Sequence, residues 1–180
     1  KRTEGQNIGN LGVVYDSLGQ YEKAIEYSKE AVEIAKHIGD KKGEGISLGN
    51  VGDLFLKLER WEEAEQHLIE AITICKETFP IAAGAFLGSL AWVNSQQSKM
   101  EESLKLLEEG EPLVKVYPLE YGKFLCKKAK VLHIAKLSDK AKESLDQAKE
   151  IAKDINAKPD SKLPITIAET EQFLASPPPD

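Results

Sequence analysis

Three histidines, His37, His67 and His133, are the first side chains to weigh for chemistry, since imidazole moves protons and ligates metals near neutral pH. They stand far apart, and none has a partner at a metal-ligand spacing such as His-Glu-x-x-His. The acid pairs Glu62-Glu63, Glu101-Glu102 and Glu108-Glu109 fit solvated helix faces better than paired general acids and bases. No Gly-x-Ser-x-Gly elbow and no phosphate loop ending in Lys and Ser/Thr is present. Gly5, Gly9 and Gly12 mimic a dinucleotide fingerprint, but that fingerprint needs a preceding strand, and here the same glycines recur inside helical patterns. Cys75 and Cys126 have no ligand pattern around them and read as buried free thiols of a reducing compartment, hence a cytoplasmic chain. The sequence therefore offers no catalytic residue, no metal site and no cofactor site; it does not read as an enzyme.

Binding chemistry is better represented. Asn10 and Asn50 are related by a shift of 40 residues. An amide side chain both donates and accepts, so two of them in register suit the backbone of an extended peptide, or else a helix-to-helix hydrogen bond. Lys123, Lys127 and Lys130 follow one another at steps of four and three, which places them on one helix face. Such a stripe is a solvated face or an attraction for an acidic segment that weakens with salt.

The elements that carry these residues repeat. At the 40-residue shift Gly5, Gly9, Gly12, Tyr15, Tyr21, Ala24 and Ala31 fall on Gly45, Gly49, Gly52, Phe55, Trp61, Ala64 and Ala71. A third copy is readable at a shift of 39 (Gly88, Met100, Ser103, Gly110) and a fourth at 38 (Gly122, Ala141, Ala148). Periods of this length mark helical arrays. Apolar residues at three- and four-residue steps, broken at Gly19-Gln20 and Gly39-Asp40, predict helices at about 3–18, 21–37, 42–58, 61–77, 80–96, 99–115, 118–136 and 139–154. Pro80 and Pro118 suit first helical turns, and Ser98 with Glu101 has the pattern of a capping box. Small residues seven apart on the second helices, with Gly12, Gly52, Ala91 and Ala129 opposite, mark where two axes approach closely. The units run about 3–40, 41–79, 80–117 and 118–156. A helix at about 163–175 then caps the last apolar edge, and 176–180 is a proline-rich flexible tail.

The run Leu11-Gly12, Tyr15, Gly19, Tyr21, Ala24 and Ala31 resembles the tetratricopeptide repeat. The 40-residue unit with its Gly-Asp linker is similar to the variety in Pins/LGN polarity proteins and bacterial signalling proteins. The resemblance implies an all-α, right-handed α-solenoid of four helical hairpins plus a C-terminal capping helix. It also implies a concave groove lined by the first helix of each pair, holding a peptide or a helix. Groove positions would then include Gln6, Asn10 and Val13; Asn50, Asp53 and Lys57; Ser89 and Trp92; and Lys123, Lys127 and Lys130. In that family asparagine at the Asn10 and Asn50 position clamps the peptide backbone. Trp92 would anchor an apolar side chain, and the lysines would favour acidic residues. The family's chaperone-tail clamp needs basic residues where this chain has Ala85 and Ser89, which speaks against that ligand.

Composition agrees with a protein partner. The chain is 41% hydrophobic and 30% charged. Those proportions are neither disordered nor membrane-embedded in type. The longest apolar run is Ile81–Val93. It falls short of a bilayer span, which takes about 20 residues. A net charge of −6 argues against nucleic acid. Residues 1–114 carry 12 basic and 20 acidic groups, whereas 115–154 carry 10 and 6. The chain thus reads as a non-catalytic interaction module. Alternatively it is a regulatory or scaffolding segment of a larger signalling enzyme or transcription regulator, since Lys1 abuts a running repeat. Self-association through the first repeat is a further mode.

Overall fold

The computed structural model describes residues 2–178; Lys1 and the last two residues of the expected tail, Pro179 and Asp180, lie outside them. Among the described residues the elements are helices α1 (Arg2–Ser17), α2 (Tyr21–Ile38), α3 (Lys41–Lys57), α4 (Trp61–Thr78), α5 (Pro80–Gln96), α6 (Met100–Val114), α7 (Pro118–Ile134), α8 (Ser138–Asp154) and α9 (Lys162–Ala175). Each expected helix is present, with ends close to the spacing-based limits.

The chain forms two compact units divided within α5, the first ending at Phe86 and the second starting at Leu87. In the first unit α1 pairs with α2 and α3 with α4, while α2 also packs on α3. In the second, α7 pairs with α8, and α9 lies against both.

Turn chemistry explains the hairpins. Gly19 and Gly39, with φ 70 and 71, take left-handed backbone conformations. A left-handed glycine is a common way to end a helix. The Gly39 N–H bonds back to the Ala35 and Lys36 carbonyls. The Asp40 carboxylate then caps α3 by accepting from the Gly43 N–H at 3.0 Å. At the positions equivalent to Gly19 the later hairpins use Glu59, Ser98 and Lys136, all likewise at positive φ. This corrects the capping box expected at Ser98. Ser98 is the left-handed turn residue after α5, and α6 starts behind Lys99 with no side-chain cap. The repeat register, not the local Ser-x-x-Glu pattern, sets its backbone.

The close crossings are where the small residues predicted them. A Cβ on Gly12 would stand 2.7 Å from Ser28 Oγ, and one on Gly52 would stand 2.7 Å from Leu68 Cγ. In the second unit the Ser103 hydroxyl donates to the Ala91 carbonyl, so the two axes are tied by a hydrogen bond as well as by contact. Ala24, Ala64, Ala71, Ala141 and Ala148 are fully buried. Burying these stripes supplies the main driving force, at about 25 cal/mol per Å² of apolar surface. Cys75 and Cys126 are buried and unpaired, as expected, and burial pushes both thiols up to about 11.

Candidate functional site

The first helices carry the side chains singled out in the sequence, and each unit presents its own set. In the first unit Gln6, Asn10 and Val13 share an exposed face of α1. Asn50 and Asp53 are half-buried on α3. Neither the Asn10 nor the Asn50 side chain makes a hydrogen bond among the described residues. Lys57 reaches back to α1 in an ion pair with Asp16, and its Nζ lies 5.4 Å from the centre of the Tyr21 ring.

In the second unit the residues are more enclosed than the spacing suggested. Ser89 is buried rather than lining an open face, and its hydroxyl accepts a hydrogen bond from Lys127 Nζ, joining α5 to α7. Lys123 donates to Glu120 at 2.8 Å. Lys130 is half-buried, with Nζ 5.8 Å from the Trp92 ring centre and 5.9 Å from that of Phe173. Burial pushes its pKa down, against the opposing pull of Glu169. The lysines therefore do not form the uniform solvated stripe that their sequence spacing allows. Trp92 is half-buried and meets Phe173 of α9 edge to face, with centroids 5.4 Å apart.

A polar network holds α7 from another side. Glu111, near the end of α6, accepts from Tyr121 Oη at 2.9 Å and from Lys128 Nζ at 2.7 Å. Tyr121 Oη also approaches Gln147 Oε1 of α8 at 3.3 Å. Burial alone would raise the Glu111 pKa, but the two donors outweigh it and hold the carboxyl below its ordinary value. Burial, then the Glu111 bond, pushes the Tyr121 phenol up to about 12. A depressed carboxylate contributes stability above its unfolded pKa and loses it as pH falls through the folded value. Glu111→Gln is therefore expected to cost about 1–2 kcal/mol at pH 7. The gap to wild type should close below about pH 4. Urea titrations at several pH values check this; a gap independent of pH would show that the charge plays no part.

The histidines do different things. His37 is exposed, while His67 Nδ1 lies 2.8 Å from the Glu63 carbonyl. His133 is buried, with its ring centre 5.6 Å from that of Phe173 and its Nε2 2.8 Å from the Ser176 carbonyl. Among the described residues no group of three or more His, Cys, Asp and Glu side chains gathers, and no helix is long and apolar enough to cross a membrane. His133, Phe173 and Glu111 were not singled out as site residues by sequence. Their partners lie from 10 residues away, for Glu111 and Tyr121, to 81, for Phe173 and Trp92, and no local spacing records such pairings.

Helical hairpins repeating with small residues at their crossings define an α-helical repeat protein. Residues 5–77 match the family model of the tetratricopeptide repeat. No curated protein matches the chain. Solved structures with the same fold include BtubC (BKLC) of P. vanneervenii, at 18% identity and TM-score 0.66, covering 88% of this chain and 66% of that one. Aspartyl phosphate phosphatase F of Bacillus subtilis aligns at 16% identity and TM-score 0.74, over 96% of this chain and 45% of its own. The TPR-like repeats of a candidate kinesin light chain from Podosopora anserina align at 16% identity and TM-score 0.63, over 97% of this chain and 89% of that one. The chain thus spans less than two thirds of the first two. At these identities the likeness is one of fold.

Proposed function

We propose that the chain is a non-catalytic protein-interaction module that holds a partner peptide or helix on the faces of its first helices. The match of residues 5–77 to the tetratricopeptide-repeat model supports the general role. The observation that carries the finer reading is the pair of equivalent amides, Asn10 and Asn50, neither hydrogen-bonded among the described residues. Both amides reach solvent, so their donors and acceptors are available to an external backbone. In the second unit Trp92, Lys127 and Lys130 favour an apolar anchor flanked by acids.

Selection of a displayed peptide library against the chain, followed by titration of the best binders, tests this. Asn50→Ala together with Lys127→Ala is expected to weaken binding by about tenfold at low salt, with a smaller effect at about 0.5 M salt as screening sets in. Binders whose affinity ignores both changes would refute the assignment of these faces.

A second reading is a scaffolding segment of a larger signalling enzyme or transcription regulator that packs against neighbouring domains. Leu11 and Val14 on α1, with Leu18 just beyond its end, form an exposed stripe, whereas Val51 and Leu54, the α3 equivalents of the first two, are buried. An apolar stripe of this kind suits a covering neighbour. The full gene would reveal a flanking domain, and light scattering would reveal self-association through the same stripe.

A further inference from the structure

We propose that the last turns of α9, about residues 169–176, act as an internal ligand of the α5–α7 face. That face would take from a partner protein a helix that carries an aromatic residue in its last turn. The inference rests on the interaction-module reading and names the partner chemistry for the second unit.

The two ends of α9 are held differently. At its start Leu163 is fully buried over Gly122, so close that a Cβ there would stand 2.9 Å from Leu163 Cδ2, and Ile167 follows one turn later, also buried. This is how a cap seals an apolar edge. At its far end the contacts change in kind. Phe173, half-buried, sits edge to face with both Trp92 and His133, at 5.4 Å and 5.6 Å. Lys130 Nζ lies 5.9 Å from the Phe173 ring. The backbone ends with the Ser176 carbonyl against His133 Nε2 at 2.8 Å.

An aromatic ring between aromatic neighbours, a lysine near that ring and a carbonyl on a ring nitrogen are the contacts of peptide recognition, made here within one chain. Phe173 stands three residues before Ser176, so the pattern a partner must present is an aromatic residue in the last turn of a helix, followed by an exposed carbonyl. Beyond Phe173 the segment is held by half-buried Leu174 and the Ser176 carbonyl on His133. Ala175, Ser176 and Pro177 are exposed, and the helix ends at Ala175 before Pro177 and Pro178. Thr170 is the last fully buried side chain of α9; past it the helix end, with fewer buried contacts, opens locally at low cost while the Leu163 end stays seated.

The probe is a fluorescein-labelled peptide of residues 166–178, titrated against the full chain. Phe173→Ala in the chain leaves Leu163 and Ile167 in place and vacates the space beside Trp92 and His133. It is expected to bind the peptide about tenfold tighter than wild type, the scale of one edge-to-face aromatic pair. Adding Trp92→Ala, or using a peptide with Phe173→Ala, should remove that gain. A Phe173→Ala chain that folds normally by circular dichroism yet binds no tighter overturns the inference. So does one that unfolds, because the far end of α9 would then be structural core. In wild type, amides 171–176 should exchange with solvent at least about tenfold faster than those at 165–168; equal protection also overturns it. If library-selected peptides bind while the 166–178 peptide does not, only this inference falls. If neither binds, the interaction reading of the second unit falls with it.

Discussion

Phe124→Ala is expected to lower the stability of the second unit by about 3–5 kcal/mol, the usual cost of emptying a fully buried phenylalanine site. Phe124 is 1% exposed and is the largest of the fully buried side chains. It projects from α7 onto Gly88 of α5, where a Cβ would stand 2.8 Å from the ring. No side chain at Gly88 can move in to fill the space, so the cavity persists unless α5 and α7 themselves shift. Either outcome disturbs the pair of helices that carries Ser89, Trp92, Lys127 and Lys130. With a denaturant slope of about 2 kcal/mol per M, the urea midpoint should fall by roughly 2 M. A loss under about 1 kcal/mol would mean that this contact does not organise the unit.

The second large effect comes from two glycines that occupy the same place in successive repeats. Gly49→Ala is expected to cost about 3 kcal/mol, in the range of a forced overpacking. A methyl group there would overlap three atoms of the Phe86 ring, which is itself buried and has nowhere to go. Gly9→Ala should do the reverse and stabilise by about 0.5–1 kcal/mol, because glycine inside a helix is less favourable than alanine. Around Gly9 the nearest atom to an added Cβ is Ala31 Cβ at 3.8 Å, an ordinary contact. Thermal unfolding of the two single variants checks the pair. Shifts of the same sign would show that repeat position, not the neighbour across the crossing, decides the outcome.

Much of the architecture was legible because it is written in short-range rules. The three- and four-residue apolar steps set each helix, and Gly19, Gly39 and Pro118 set ends that the structure keeps. Ser98 shows the limit of a local rule. Its Ser-x-x-Glu pattern is a good capping signal, yet the turn after α5 needs a left-handed residue at that point, and Ser98 supplies it. The candidate site was legible as positions but not as environments. Spacing put Ser89, Trp92, Lys123, Lys127 and Lys130 on two helices. It did not show that Ser89 is covered by Lys127, or that Trp92 and Lys130 lie beside Phe173.

By itself the sequence determined the period, the nine helices among the described residues and the small residues at the hairpin crossings. Each of these follows from interactions within a turn or two of chain, or from a pattern stated more than once. Only the tertiary structure decided which of two equivalent glycines is covered by a phenylalanine, how Glu111 ties α6 to α7, and where the end of α9 comes to rest. Those outcomes depend on side chains far apart in sequence meeting at a few ångströms, and distance along the chain carries no record of that.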